Sequence, residues 1–108
     1  EWLVNKVLNL RVFNDSEGVM NKSLLDINGE LLLISQFTLL ALTKKGNRPS
    51  YTKSANHQIA IPLYEYFIKT CKDQIDDKVK TGTFGADMKV SLINDGPVTI
   101  IIDSKNKE

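Results

Sequence analysis

The sequence predicts an α+β fold, an antiparallel or mixed β-sheet with one long helix packed on it. Three patterns carry that prediction. Ile59, Leu63, Phe67, Cys71 and Ile75 recur every four residues, the spacing of one buried helix face. Met88, Val90 and Leu92 alternate with Lys89, Ser91 and Ile93, the period of a strand with one wetter face. Leu31, Leu32, Leu33 and Ile34 run on without alternation, which suits a strand buried on both sides.

Taken in order, Leu3, Val4, Val7 and Leu8, with Trp2 beside them, give a first helix that has no Ser, Thr, Asp or Asn cap ahead of it. The chain is therefore expected to begin inside a helix, as a fragment of something longer. Leu10–Phe13 reads as a short strand, and Asn14-Asp15-Ser16-Glu17-Gly18 as a turn. Leu24–Ile27 is a candidate strand turning at Asn28-Gly29, a strong hairpin signal. Glu30–Thr38 is the buried strand, and Thr43–Lys53 a loop. The long helix should run from about Asn56 to Asp76. Pro62 either marks its first turn, with the helix proper starting near Ile61, or kinks it. Val79–Thr81, Met88–Leu92 and Val98–Ile102 complete the strands, and residues 1–108 are read as one domain.

Composition narrows the chemistry. Of the 108 residues, 42% are hydrophobic and 25% charged, the balance of a globular chain rather than a disordered one. A net charge of +1 gives no whole-molecule attraction to polyanions, so any such binding needs a local patch. A single cysteine, Cys71, and a single histidine, His57, exclude an internal disulfide and a histidine-built metal site. No metal and no cofactor are expected. Apolar runs too short to span a bilayer, and the lack of a signal-peptide pattern, make a cytoplasmic location and no membrane contact the expectation.

Several residues could carry chemistry, each with a plain structural alternative. Ser35-Gln36-Phe37-Thr38 ends an apolar strand, where polar groups must find partners. Either they satisfy a sheet end, or they offer side chains and backbone N–H groups to a pocket in which Phe37 and Phe84 stack on a planar base. Lys44, Lys45 and Arg48, with Lys53 and no acid nearby, form either a solvated loop or a small phosphate-contacting patch. Asn94-Asp95-Gly96-Pro97 is ordinary turn chemistry, yet a Gly-Pro step can also present bare carbonyls to a ligand. His57 reads as a surface residue at a helix start, and Cys71 as buried and inert. Asp73, Asp76 and Asp77 read as a solvated helix end.

Ser35-Gln36-Phe37-Thr38-Leu39, Lys45-Gly46-Asn47-Arg48-Pro49-Ser50, Phe84-Gly85-Ala86-Asp87-Met88 and Asn94-Asp95-Gly96-Pro97-Val98-Thr99, in this order, closely resemble the D-aminoacyl-tRNA deacylases. The likeness runs from Glu1 to about Asp103. It implies a carboxylic ester hydrolase that frees a D-amino acid, or glycine mischarged on tRNA-Ala, from the terminal adenosine of tRNA. It also implies a homodimer in which the Gly96–Pro97 loop of one subunit enters the other's pocket. There its carbonyls would meet the substrate α-amino group and exclude an L side chain. Members of the family carry a further N-terminal stretch that adds strands to the core and an arginine supporting the Gly-Pro loop. The chain is thus expected to be an N-terminally truncated version of the fold, with apolar sheet surface left uncovered.

On this resemblance the catalytic residues are Thr38, Gln36 and Phe37. Ser35, Phe84, Met88, Gly96 and Pro97 bind substrate, and Lys44, Lys45 and Arg48 bind tRNA. Thr38 has no evident base, so hydrolysis assisted by the ribose 2′-hydroxyl is favoured over a threonine nucleophile. Backbone N–H groups near Phe37 and Thr38 would hold the oxyanion. The rival expectations are a non-catalytic module that grips the acceptor end, an inactive fragment of the enzyme, or a small domain whose motifs only maintain the fold.

Overall fold

A computed structural model describes residues 1–107. The architecture is α+β. Helix α1 spans Trp2–Asn9 and buries Val4 and Leu8. Strands β1 (Phe13–Asn14) and β2 (Met20–Lys22) pair antiparallel, with a register shift between Phe13 and Asn14. Strands β3 (Leu31–Leu33) and β4 (Val79–Thr81) pair parallel, Leu31 opposite Val79 and Leu33 opposite Thr81. A parallel pair needs a crossover, and helix α2 (His57–Ile75) lies within that crossover.

The long helix follows its sequence signals. Asn56 caps it, its side chain accepting from the Ile59 N–H at 3.2 Å. Asp76 ends it with φ +54. Pro62 lies inside the helix, because α2 starts at His57 rather than near Ile61. Cys71 and Ile75 of α2 meet Val4 and Leu8 of α1, Leu24, and Val79 of β4, with Phe13, Leu31 and Phe67 packed against them. Cys71 is fully buried, and burial pushes its thiol pKa up.

Several expected elements differ. Leu24–Ile27 is a turn, not a strand. Ser23 and Asp26 bond reciprocally, the Ser23 N–H to the Asp26 carboxylate at 2.9 Å and the Asp26 N–H to Ser23 Oγ at 3.1 Å. That is capping-box chemistry, and it closes a helical turn through Ile27 N–H to Ser23 O at 3.2 Å. The Ser23 bonds hold the Asp26 carboxyl below the usual carboxylate range. Asp15, which accepts from the Val19 and Glu17 N–H groups, is held down in the same way. Asn28 takes φ +57 at the end of the Leu24–Ile27 turn, so Asn28-Gly29 leads into β3 instead of joining a hairpin.

The buried strand is shorter than Glu30–Thr38. It stops at Leu33, Leu32 is 57% exposed, and Phe37–Leu40 is a 3-10 helix. The first strand falls at Phe13–Asn14 rather than over Leu10–Phe13. Met88–Leu92 and Val98–Ile102 form no strand among the described residues. Their side chains show why. Leu92 is 72% exposed and Ile101 93% exposed, so no layer of the chain covers them. The radius of gyration, 15.8 Å, exceeds the roughly 13 Å typical of this length, and the molecule is elongated, 48 Å along one axis and 29 Å along the other two.

Candidate active site

An open cleft of about 1210 Å³ separates the end of β3 from the start of α2. Ile34, Ser35, Gln36 and Phe37 form one wall, Asn56 and His57 the opposite one, and Phe84 and Met88 the floor. Each comes from a different local cause. Leaving β3, the chain turns at Gln36 (φ −152, ψ 94) into the 3-10 helix, which brings Phe37 onto the rim. The Asn56 cap fixes where α2 begins and hence where His57 lies. Phe84 sits in the turn after β4, closed by the Ala86 N–H to Thr83 O at 3.2 Å and eased by Gly85 at φ +74. Met88 lies so close over Gly82 that a Cβ there would overlap its sulfur.

Aromatic contacts tie the walls together. Phe84 meets His57 edge-on at 5.7 Å, and meets Tyr64 at a tilt of 53° and 5.6 Å. The Tyr64 hydroxyl in turn donates to the Leu33 carbonyl at 3.0 Å, linking α2 to the end of β3. Tyr51 packs edge-on against Phe37 at 5.0 Å. His57, Tyr51 and Tyr64 line the cleft although sequence reasoning gave them no role there. Their approach to Phe37 and Phe84 is a tertiary fact with no local signal, and His57, at the exposed start of α2, reads as a surface residue until Phe84 is placed beside it.

Of the sequence-predicted residues, Ser35, Gln36, Phe37, Phe84 and Met88 come together in the cleft. Thr38 does not line it and connects to it through Gln36, whose amide nitrogen donates to Thr38 Oγ1. The Phe37 and Thr38 N–H groups open the 3-10 helix and so have no carbonyl within it to bond.

The remaining predicted residues lie elsewhere. Lys44, Lys45 and Arg48 sit exposed in a loop pinned at its base by an antiparallel bridge between Leu42 and Ser50. That loop adjoins the cleft through Tyr51. Gly96 and Pro97 are on the exposed arm and contribute nothing to this chain's own cleft. The Gly96–Pro97 peptide is cis, with Gly96 at φ +140. No group of three or more His, Cys, Asp or Glu side chains that could hold a metal ion occurs among the described residues. No described helix is long and apolar enough to cross a membrane.

A family model described as D-Tyr-tRNA(Tyr) deacylase matches residues 1–103. The D-aminoacyl-tRNA deacylase of Flavobacterium psychrophilum is 65% identical over 107 residues, covering 99% of this chain and 71% of that protein. Its counterpart from Cytophaga hutchinsonii is 64% identical over 108 residues, covering 100% and 72%. A solved structure named c-Myc DNA Unwinding Element Binding Protein superposes with a TM-score of 0.86 at 40% identity, over 95% of this chain and 70% of that one. With the motifs and the fold, these similarities show that the chain belongs to the D-Tyr-tRNA(Tyr) deacylase family.

Proposed function

We propose that this chain, a D-aminoacyl-tRNA deacylase by family, hydrolyses its ester in the Gln36–Phe84 cleft without a protein nucleophile. The observation that carries this is the bond from Gln36 to Thr38. Whichever way the amide is turned, an amide is not a base, so it does not activate the Thr38 hydroxyl for attack. Thr38 and Gln36 are positioning residues that orient water and the ester. The ribose 2′-hydroxyl, adjacent to the ester in the substrate, assists the proton transfer. The Phe37 and Thr38 N–H groups, which open the 3-10 helix, donate to the developing oxyanion. Phe37 and Phe84 stack on the terminal base, with Ser35 and Met88 at its edges.

The partners follow from the same reading. Lys44, Lys45 and Arg48 contact acceptor-stem phosphates. The enzyme is a cytoplasmic homodimer in which the Gly96–Pro97 loop crosses into the partner's cleft and admits only D-amino acids or glycine. The loop's exposure, and its absence from the residues that line this chain's own cleft, support that crossing. Glycyl-tRNA-Ala is the second substrate.

A D-tyrosyl-tRNA ending in 2′-deoxyadenosine tests the mechanism. When saturating, it should be cleaved more slowly by about a hundredfold or more than the ribose form, the usual worth of a lost acid–base group. Equal rates would refute 2′-hydroxyl assistance. Binding of both forms with release from neither would favour an acceptor-end binding module.

A further inference from the structure

We infer that Asn94 is the positioning residue of the Gly96–Pro97 loop, its side chain reaching across the step to the two residues that follow it. This rests on the reading of the loop as the chirality filter. Asn94 Oδ1 accepts from the Val98 N–H at 3.1 Å, and Asn94 Nδ2 donates to Thr99 Oγ1 at 3.4 Å. The spacing Asn-X-Gly-Pro-X-Thr thereby acquires a physical meaning. A single amide reaches across Asp95, Gly96 and Pro97 and holds the chain where it emerges.

The backbone makes this clasp consequential. Among the described residues, no backbone-to-backbone hydrogen bond forms between Asp87 and Ile102. The arm also contains no helix or strand. Neither Gly96 nor Pro97 makes a backbone bond that pins the loop. Pro97 has no N–H to donate, and Gly96 has no Cβ to restrict its torsions. Filter carbonyls must nevertheless stand still to within a fraction of an ångström if they are to reject a side chain by contact. The Asn94 amide is the local restraint that the structure provides. Its two halves suit the task, since the carbonyl oxygen takes a donor and the nitrogen supplies one.

Three variants separate this role from a general structural one, assayed on the full chain with D- and L-tyrosyl-tRNA. Asn94→Leu keeps the approximate volume and removes both bonds. Asn94→Asp keeps the acceptor for Val98, and the Thr99 hydroxyl can reverse and donate to the carboxylate. Thr99→Val removes the outer bond alone.

Amide exchange at Val98, read by NMR, should speed up about tenfold in Asn94→Leu, the worth of one hydrogen bond. It should stay near wild type in Asn94→Asp. The ratio of kcat/KM for the D over the L substrate should fall about tenfold in Asn94→Leu. The loss should be smaller in Thr99→Val, and Asn94→Asp should recover most of it. An unchanged ratio in Asn94→Leu, or an equal loss in Asn94→Asp, overturns the inference. A Gly96→Ala control separates this failure from failure of the filter itself. If Gly96→Ala alters the ratio and Asn94→Leu does not, the filter stands and the clasp falls. If neither alters it, both fall. Should Asn94→Leu fold poorly, the Val98 exchange and activity of Asn94→Asp and Thr99→Val still decide, because loss of protection in Asn94→Asp is incompatible with the clasp.

Discussion

Replacing Gly96 with alanine puts a methyl group at a backbone position that accepts none. The new Cβ would stand 2.8 Å from Val98 Cγ2 and 3.1 Å from the Val98 nitrogen, with φ at +140. Rotation of Val98 about χ1 relieves the first contact. The second is with backbone and moves only if the loop does. A side chain forced into this glycine region costs about 1–3 kcal/mol. Each 1.4 kcal/mol is about a factor of ten, so the productive loop should be depleted about 5- to 150-fold. An enzyme whose competent state is depleted loses apparent affinity in proportion. The expected result is a fall of about that size in kcat/KM for D-tyrosyl-tRNA, measured by release of D-tyrosine in steady state. The same methyl should scarcely disturb the fold. Residues 94–99 are exposed and supply no member of the core, so the strain is relieved by displacing the loop. The melting midpoint should therefore move by less than about 3 °C, well under 1 kcal/mol for a chain of this size. A kcat/KM within about twofold of wild type would refute the placing of Gly96 in the site. A large drop in melting temperature would refute the claim that the loop is energetically separate from the core.

Two further outcomes are expected. Changing Lys44, Lys45 and Arg48 together to alanine should weaken tRNA binding and flatten its dependence on salt, by about 2 to 3 units of log Kd per log salt, while leaving hydrolysis of a short aminoacyl-adenosine ester unaffected. Equal salt slopes in the two proteins would show that the loop touches no phosphate. Asp15 and Asp26 both have lowered carboxyl pKa values in the folded chain, from 3.8, so their contribution to stability is present above that value and is lost as pH falls through the lower folded one. Acid unfolding followed by circular dichroism should then be less steep below about pH 4 in an Asp15→Asn, Asp26→Asn double variant than in wild type. An unchanged profile would show that these bonds persist in the unfolded chain.

How much of this could be read from residues alone depends on how local the cause is. Helix α2 was legible because its period and the Asn56 cap are both contained in the segment. Strand β4 emerged where Val79–Thr81 suggested, since its partner β3 is also a clear apolar run. Ser23-Leu24-Leu25-Asp26 misled, although its reciprocal capping pattern is visible in the sequence, because the flanking leucines and Asn28-Gly29 resemble a hairpin. Met88–Leu92 carries a strand's alternation and Val98–Ile102 the apolar run of a buried strand, but neither pattern supplies a pairing partner, and hydrogen bonding makes the strand. In the cleft, Gln36, Phe37, Phe84 and Met88 were readable from motifs, whereas Tyr51, His57 and Tyr64 were not. Those three are brought in by the packing of Phe37 and Phe84. The Asn94 clasp lies between the two cases, spelled out in the motif yet understood only when its bonds are seen.

On the proposal that the cationic loop holds acceptor-stem phosphates, the bridge between Leu42 and Ser50 has a consequence for how binding is partitioned. Its two hydrogen bonds, 2.6 and 3.0 Å, fix both feet of the cationic loop, and Tyr51 steps directly from one foot onto the Phe37 ring. Force applied to the loop by a bound phosphate is therefore borne by the wall of the cleft. Contacts made with the stem and contacts made with the esterified end become thermodynamically linked, and linkage is reciprocal. A stem fragment without its amino acid and an aminoacyl-adenosine without its stem should then bind with energies that do not add up to that of the joined molecule. Joining two ligands contributes to that difference on any protein, so the share owed to the bridge is the part that changes when Ser50→Pro removes the Ser50 N–H to Leu42 O bond.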